Sequence, residues 1–284
     1  MLCQFFNHPI AIEAESPELG RQIAALYGEF EQDPARLPQC GFFLKGPGGG
    51  GQHEILRNRQ CESRHAEETS ALMALEESVM QEVMRQAPEM AFIHAAVLAR
   101  GGRAVLFPGR SGAGKSTLTL ALAKRNWTYL SDEIAPVEMQ DLRVHPFPRG
   151  IKLRPEGVGL FPFLRDQASL AGGQRQYLRL RESSLTLAAS PHEVSCLIFP
   201  EYRPGTRPRL TPLGKGMAAS LLARCCLSFN WNNGETLYFL ERLVKRAECF
   251  RLEVGEIGES CALVENLVGE KLLSQLQSSP AATR

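Results

Sequence analysis

The sequence predicts an α/β protein: a three-layer core on a mixed sheet over residues 91–284, preceded by a smaller α+β portion over residues 1–90. Two observations support this fold class. A short apolar strand runs into a glycine-rich loop and then an apolar helix near residue 110, an order typical of α/β folds. An acidic pair ends the next strand, and the carboxyl ends of strands are where such sheets bind ligands.

Composition narrows the classes of function. The chain has 284 residues, 44% hydrophobic and 22% charged, which is ordinary for a globular protein. A net charge of +1 argues against nucleic-acid binding, which usually requires a basic excess. No apolar run reaches the ~18 residues of a membrane helix, and the first residues lack a secretory signal pattern. None of the eight cysteines has zinc-ribbon or CxxC spacing, so we expect a cytoplasmic protein without a membrane association.

The N-terminal portion shows alternating elements and one ambiguous glycine run. We predict strands near residues 10–12 and 41–45, and helices over 17–30 and 68–86. The run of glycines at 46–51 has no following Lys-Ser or Lys-Thr pair and no helix start, so we interpret it as a hairpin turn.

After residue 91 the chain becomes richer in apolar strands. The predicted elements are strands at 92–99, 104–107, 127–130, 143–144 and 249–254, and helices at 117–124, 217–229, 237–247 and 260–277. Cys225 and Cys226 fall inside one of these helices, and the small, polar tail at 278–284 is expected to be disordered.

Residues 109–116 match the phosphate-loop pattern G-x-x-x-x-G-K-S at every fixed position. Glycines let the backbone wrap phosphate oxygens, and amides at a helix N-terminus favour anions. Lys115 would reach the β- and γ-phosphates, and the Ser116 hydroxyl would ligate Mg²⁺. A glycine-rich turn with a chance lysine would not need the flanking strand and helix. We therefore predict ATP and Mg²⁺ as cofactors. The residues expected to bind the nucleotide are Gly109, Ser111, Gly112, Ala113, Gly114, Lys115, Ser116 and Thr117.

The acidic pair Asp132–Glu133 follows Lys115 by 17 residues, at the end of a predicted strand. Carboxylates there can hold Mg²⁺ or accept the proton of an acceptor hydroxyl. A solvated acidic pair at a strand end is the alternative.

The order His94, loop and acidic pair resembles the catalytic half of the bacterial HPr kinase/phosphorylase family, which shares its core with phosphoenolpyruvate carboxykinase. The match covers residues 91–155 well and the remainder loosely, so the fold expected is a P-loop kinase core. The resemblance implies that Asp132 is the base that activates a serine hydroxyl, that Glu133 supports Mg²⁺ beside Ser116 and Asp132, and that His94 lies near the transferred phosphate. It also implies a homo-oligomer. The chain departs from the typical enzyme in residues 1–90 and in having Asp-Glu where that enzyme has Asp-Asp, so it resembles divergent members with other substrates.

Several basic and polar residues have two interpretations each. A lone His94 in an apolar strand is more often structural than catalytic. Arg149 and Lys152, in a Pro- and Gly-rich stretch, either stabilise a transferring phosphoryl group or are surface basics, and we count Arg149 among the catalytic candidates. Arg203 either reaches the nucleotide or flanks a turn.

Residues 170–176 resemble the LSGGQ motif of ABC ATPases. The apolar run ending at Phe199 leads into Pro-Glu rather than Asp-Glu, so the Mg²⁺-binding acid of those proteins is missing. We interpret 165–185 as a loop over the acceptor site.

Together these features predict an ATP-dependent kinase that phosphorylates a serine-type hydroxyl of a protein or peptide. Two alternatives remain: a kinase for a small molecule such as free serine, and a nucleotide-binding regulatory subunit without an acceptor.

Overall fold

The computed structural model describes residues 1–33, 37–48, 50–153, 159–161, 168–169, 176–228 and 234–278. It divides into two compact units. The first consists of Met1–Pro88 and Pro148–Ser184, and the second of Glu89–Phe147 and Leu185–Arg284. The LSGGQ-like residues 170–175 and residues 279–284 of the tail lie outside the described residues. Of the predicted loop at 165–185, residues 168–169 and 176–185 are described, and they include two short strands.

The first unit is built on a sheet whose strands follow one another in chain order. These strands are β1 (Leu2–Phe5), β2 (His8–Ala14), β3 (Cys40–Lys45), β4 (His53–Arg57) and β5 (Gln60–His65). Neighbours are antiparallel except β2 and β3, which are parallel. A parallel pair needs a crossover connection, and helix α1 (Pro17–Tyr27) supplies it. The glycine run joins the antiparallel strands β3 and β4, which confirms the predicted hairpin.

Two amphipathic helices cover this sheet, as the sequence predicts. Helix α1 starts at Ser16, whose Oγ accepts the Leu19 amide at 3.2 Å, and Pro17 occupies the first turn. Helix α2 (Glu68–Gln86) packs against β3, β4 and β5. Its buried apolar side chains recur at helical spacing: Leu72, Leu75, Val79 and Val83.

The segment Pro148–Ser184 belongs to the first unit, although the sequence groups it with residues 91–284. It contains β12 (Ile151–Leu153), β13 (Ala168–Ser169) and β14 (Gln176–Leu178), with β14 in the middle. The Gly150 amide donates to Leu26 O at 3.0 Å. A Cβ on Gly150 would lie 2.0 Å from Ala25 O, so only glycine allows this close approach to α1.

The second unit is a curled mixed sheet with helices, which confirms the α/β class at that level. Within the described residues its strands are β6 (Met90–Ile93), β7 (Ala95–Arg100), β8 (Arg103–Pro108), β9 (Thr128–Ser131), β10 (Ala135–Glu138), β11 (Arg143–Val144), β15 (His192–Tyr202), β16 (Arg209–Pro212) and β17 (Glu248–Val254). The helices are α3 (Lys115–Ala123), α4 (Lys215–Ala223), α5 (Gly234–Arg246) and α6 (Ile257–Ser278).

The carboxyl ends of four strands lie at one edge of this sheet. The order there is β9, β7, β8, β15, β17, with β16 beyond β17. Strand β7 is antiparallel to both β8 and β9, and β15 is parallel to both β8 and β17. The carboxyl ends of β8, β9, β15 and β17 therefore meet at the same edge, where the start of β7 also lies.

Two predicted elements of this unit differ in the structure. The apolar run at 92–99 forms two strands, β6 and β7, which are separated at His94. The helix predicted over 217–229 ends at Ala223, so Cys225 and Cys226 lie beyond it. Among the described residues, no helix combines the length and the apolarity needed to cross a bilayer.

Candidate active site

The glycine-rich loop, residues 109–114, leaves the end of β8 and enters α3 directly. Gly112 and Gly114 have φ values of 89° and 92°, in the left-handed region that L side chains rarely adopt. Gly109 is also closely packed, because a Cβ there would lie 3.3 Å from the Ala113 side chain. The loop therefore requires glycine at two positions for its backbone angles and favours it at a third for its packing.

Lys115, the first residue of α3, points back into its own loop. Its Nζ donates to the carbonyl oxygens of Gly109 at 2.7 Å and Arg110 at 3.3 Å, and lies 3.2 Å from His94 Nε2. An ammonium has three donors, so these three partners occupy all of them. Burial lowers the pKa of Lys115, while the acidic pair acts in the opposite direction. A phosphate oxygen would have to replace at least one of these partners.

His94 lies at the break between β6 and β7, and both of its backbone groups are engaged. Its amide donates to Cys225 O at 2.6 Å, and its carbonyl accepts the Gly109 amide at 3.3 Å. The ring is also shared, because Nε2 lies 3.5 Å from Glu133 Oε1 as well as near Lys115. Nε2 can accept a hydrogen bond from Lys115 Nζ in one tautomer or donate one to Glu133 Oε1 in the other.

The two acids at the end of β9 have different surroundings. Asp132 is only 4% exposed, and neither of its carboxylate oxygens has a hydrogen-bond partner among the described residues. Burial and the nearby Glu133 carboxylate raise the pKa of Asp132 to about 7. The Ser116 hydroxyl and Lys115 act in the opposite direction, although Ser116 does not reach hydrogen-bond geometry. The Glu133 side chain is 47% exposed.

The Asp132 side chain, together with Ser116, fits a hard cation. Burying carboxylate oxygens that accept no hydrogen bond costs free energy, and a bound cation would offset that cost. In the described part of the chain, no three His, Cys, Asp or Glu side chains converge on one point. A site with few protein ligands suits Mg²⁺, which usually keeps several waters and binds substrate phosphates.

The structure places Arg149 in the first unit, apart in the chain from the loop and the acids. Its Nη2 donates to Glu76 Oε2 at 2.8 Å, and Glu76 also accepts the Tyr177 hydroxyl at 3.0 Å. The guanidinium carbon lies 5.2 Å from the centre of the Tyr27 ring. These contacts describe a buried structural cation, and a catalytic role for Arg149 stays a prediction.

Arg203 forms an exposed ion pair with Glu201 at 2.9 Å. It flanks the turn after β15, in agreement with the second of its two interpretations. Contact with a nucleotide remains untested.

Some residues at this edge carry no motif in the sequence. The Cys225 carbonyl fixes the backbone of His94. Tyr202 and Val254, the last residues of β15 and β17, face Gly114, and a Cβ on Gly114 would lie 3.7 Å from each side chain. Only the sheet register brings these residues to the loop. The one sequence feature that marks this place is a tyrosine, Tyr202, shortly after an apolar run.

Comparison with known proteins leaves the family open. No protein-family model matches the chain, and no curated protein matches it. A solved structure, the Hpr(Ser) kinase/phosphatase from Coxiella burnetii, aligns with 14% identity over 65% of this chain and 97% of that chain, with a TM-score of 0.34. This is a weak likeness to a kinase/phosphatase.

Proposed function

We propose that this protein is a cytoplasmic, ATP-dependent kinase that transfers the γ-phosphate to a serine-type hydroxyl of a protein or peptide. The observation that carries the proposal is the buried Asp132 carboxylate, which has no hydrogen-bond partner among the described residues and stands beside the Ser116 hydroxyl of the loop. A buried acid with a pKa near neutrality suits a general base. The loop supplies a phosphate site a short distance away.

The proposed roles follow from these positions. The loop amides and Lys115 bind the β- and γ-phosphates and neutralise charge that develops on the transferred group. Ser116, with Asp132 or Glu133, would hold Mg²⁺, which supplies charge neutralisation and aligns the phosphates. Asp132 accepts the proton of the acceptor hydroxyl as that oxygen attacks the γ-phosphorus in line, while the bond to the β,γ-bridging oxygen breaks and ADP leaves. Most of the rate enhancement would come from positioning and electrostatics.

His94 controls Lys115 in this proposal. When Nε2 is unprotonated, it accepts a hydrogen bond from Nζ and holds the ammonium at the loop. When Nε2 carries the proton, it can instead donate to Glu133 Oε1, and Nζ keeps only its two carbonyl partners.

The test incubates the protein with Mg²⁺ and γ-labelled ATP in a desalted extract of its source, with free metabolites added back. We expect label in the protein or peptide fraction, and a loss of ~100-fold or more with Asp132→Asn while ATP affinity is retained. Lys115→Ala should weaken ATP affinity at least ~10-fold. Asp141→Asn, an exposed acid whose Oδ1 caps the Arg143 amide at 2.9 Å, is the matched control and should leave both unchanged.

The other outcomes contradict the proposal in different ways. Label that appears only in small molecules would identify a metabolite kinase. Release of free phosphate without a labelled product would favour a nucleotide-binding regulatory subunit. Full transfer activity in Asp132→Asn would exclude Asp132 as the base.

A further inference from the structure

A cleft of 410 Å³ opens at the carboxyl ends of β15 and β17. Its walls come from two turns, residues 202–207 after β15 and 255–259 after β17. We infer that this cleft binds the nucleobase of the nucleoside triphosphate, with the Tyr202 ring as its stacking surface. The inference rests on the proposed nucleotide-binding function and assigns the part of the nucleotide that the loop does not touch.

The strand order supports this assignment. Asp132 and Glu133 follow β9, which lies on one side of β8, while Tyr202 ends β15, which lies on the other side. A nucleoside triphosphate is elongated, with its metal-binding phosphates at one end and its base at the other. If the acids mark the metal end, the base extends over β15 and β17, where the cleft lies.

The cleft is continuous with the loop. Gly114, the residue before Lys115, lies against Tyr202 and Val254. Tyr202 and Val254 are paired in the parallel register of β15 and β17. The cleft therefore adjoins the end of the loop, so a single nucleotide can reach both.

Tyr202 has the properties of a stacking residue. It is 54% exposed at the end of β15, a strand that is buried through its middle and exposed at its last two residues. An aromatic ring of this kind binds the flat face of any base. Glu259, on the first turn of α6, also lines the cleft, and its carboxylate can accept hydrogen bonds from the exocyclic amino group of a base.

The cleft is also fixed in shape. The turn after β15 is held by the Arg203 amide, which donates to Val254 O at 2.9 Å, and by the Thr206 hydroxyl, which donates to Arg203 O at 2.8 Å. A Cβ on Gly255 would lie 2.0 Å from Thr206 O, so glycine is needed for the two turns to approach. Its volume falls within the ~300–1,000 Å³ of small-molecule sites.

The test separates the base from the phosphates by comparing Mg-ATP with Mg-tripolyphosphate, which has no base. We expect Tyr202→Ala to weaken ATP binding by roughly 5- to 150-fold, the range of one lost stacking contact, and to leave tripolyphosphate binding unchanged. Tyr202→Trp should retain ATP binding. Tyr238→Ala, which removes another exposed tyrosine of the same unit, should affect neither ligand.

Each result has a distinct meaning. Equal effects of Tyr202→Ala on both ligands, or no effect on ATP, would overturn the nucleobase assignment and leave the loop function intact. Wild-type protein that binds neither ligand would overturn the proposed function and this inference with it. Unchanged tripolyphosphate affinity also shows that the variant is folded. As a second variant, Gly255→Ala should reduce ATP binding more than tripolyphosphate binding; the reverse order would contradict the inference.

Discussion

Replacing Asp132 by Asn should stabilise the metal-free protein, and the gain should grow with pH. In the folded state the pKa of Asp132 is about 7, against an ordinary value of 3.8. Because the folded pKa is raised, the folded protein binds the proton more tightly than the unfolded chain does. The wild type is therefore penalised progressively as pH rises from the unfolded pKa to the folded pKa, and the penalty is constant above it.

The magnitude follows from the linkage relation. Each pH unit between the unfolded and the folded pKa values changes the free energy of unfolding of the wild type by ~1.4 kcal/mol. The stability of Asp132→Asn relative to the wild type should therefore increase by ~3 kcal/mol between about pH 5 and pH 8.5. For a protein of this size, the Tm of Asp132→Asn relative to that of the wild type should rise by ~6–12 °C over this pH range. The buried amide of Asn adds an offset that does not vary with pH, so the slope isolates the carboxylate charge.

The assay is urea unfolding of wild type and variant in EDTA at four pH values, with Asp141→Asn as the exposed control. A free-energy difference that stays constant from pH 5 to pH 8.5 would refute the raised pKa and, with it, the argument that Asp132 is a buried, uncompensated acid.

Two further predictions concern the first unit. Arg149→Met should cost ~3 kcal/mol of unfolding free energy, since it leaves Glu76 half-buried without its cation, and Glu76→Gln in the same chain should recover part of the loss. Activity lost without any loss of stability would instead support a catalytic Arg149. Gly150→Ala should destabilise the protein by ~1–3 kcal/mol, because its Cβ would clash with Ala25 O. Gly20→Ala, in α1, should stabilise the protein by ~0.5–1 kcal/mol, because nothing lies within 4 Å of the added Cβ and alanine favours the helix. Thermal and urea unfolding measure both variants, and similar effects on stability would contradict the packing argument.

The sequence was sufficient to predict what is encoded locally. Helices α1 and α2 were predictable because their apolar side chains repeat at helical spacing and Ser16 marks the start of α1. The glycine-rich loop, strand β8 and helix α3 were predictable because the backbone conformation of the loop requires glycines at fixed positions within eight residues. The contacts of Lys115 with His94 and with the Gly109 and Arg110 carbonyls were not predictable.

Features that depend on long-range pairing were not predictable. Strand β5 is polar and exposed, so its alternation carries no apolar signal. The break at His94 is hidden in a continuous apolar run, because both β6 and β7 are buried on both faces. Tyr202 and Cys225 reach the site through the sheet register and a turn far along the chain, and neither has a local pattern that a single sequence reveals.

The first unit also has a consequence for synthesis and truncation, because its two segments are separated by residues 89–147. During translation, residues 1–88 emerge before Pro148–Ser184, the segment that completes their unit. Helix α1 cannot contact Gly150 until that segment has been synthesised. A cut near residue 90 would divide one folding unit between two fragments, each exposing surface meant for the other. A shortened version that holds only the first unit should therefore join residues 1–88 to 148–184 through a short linker in place of 89–147.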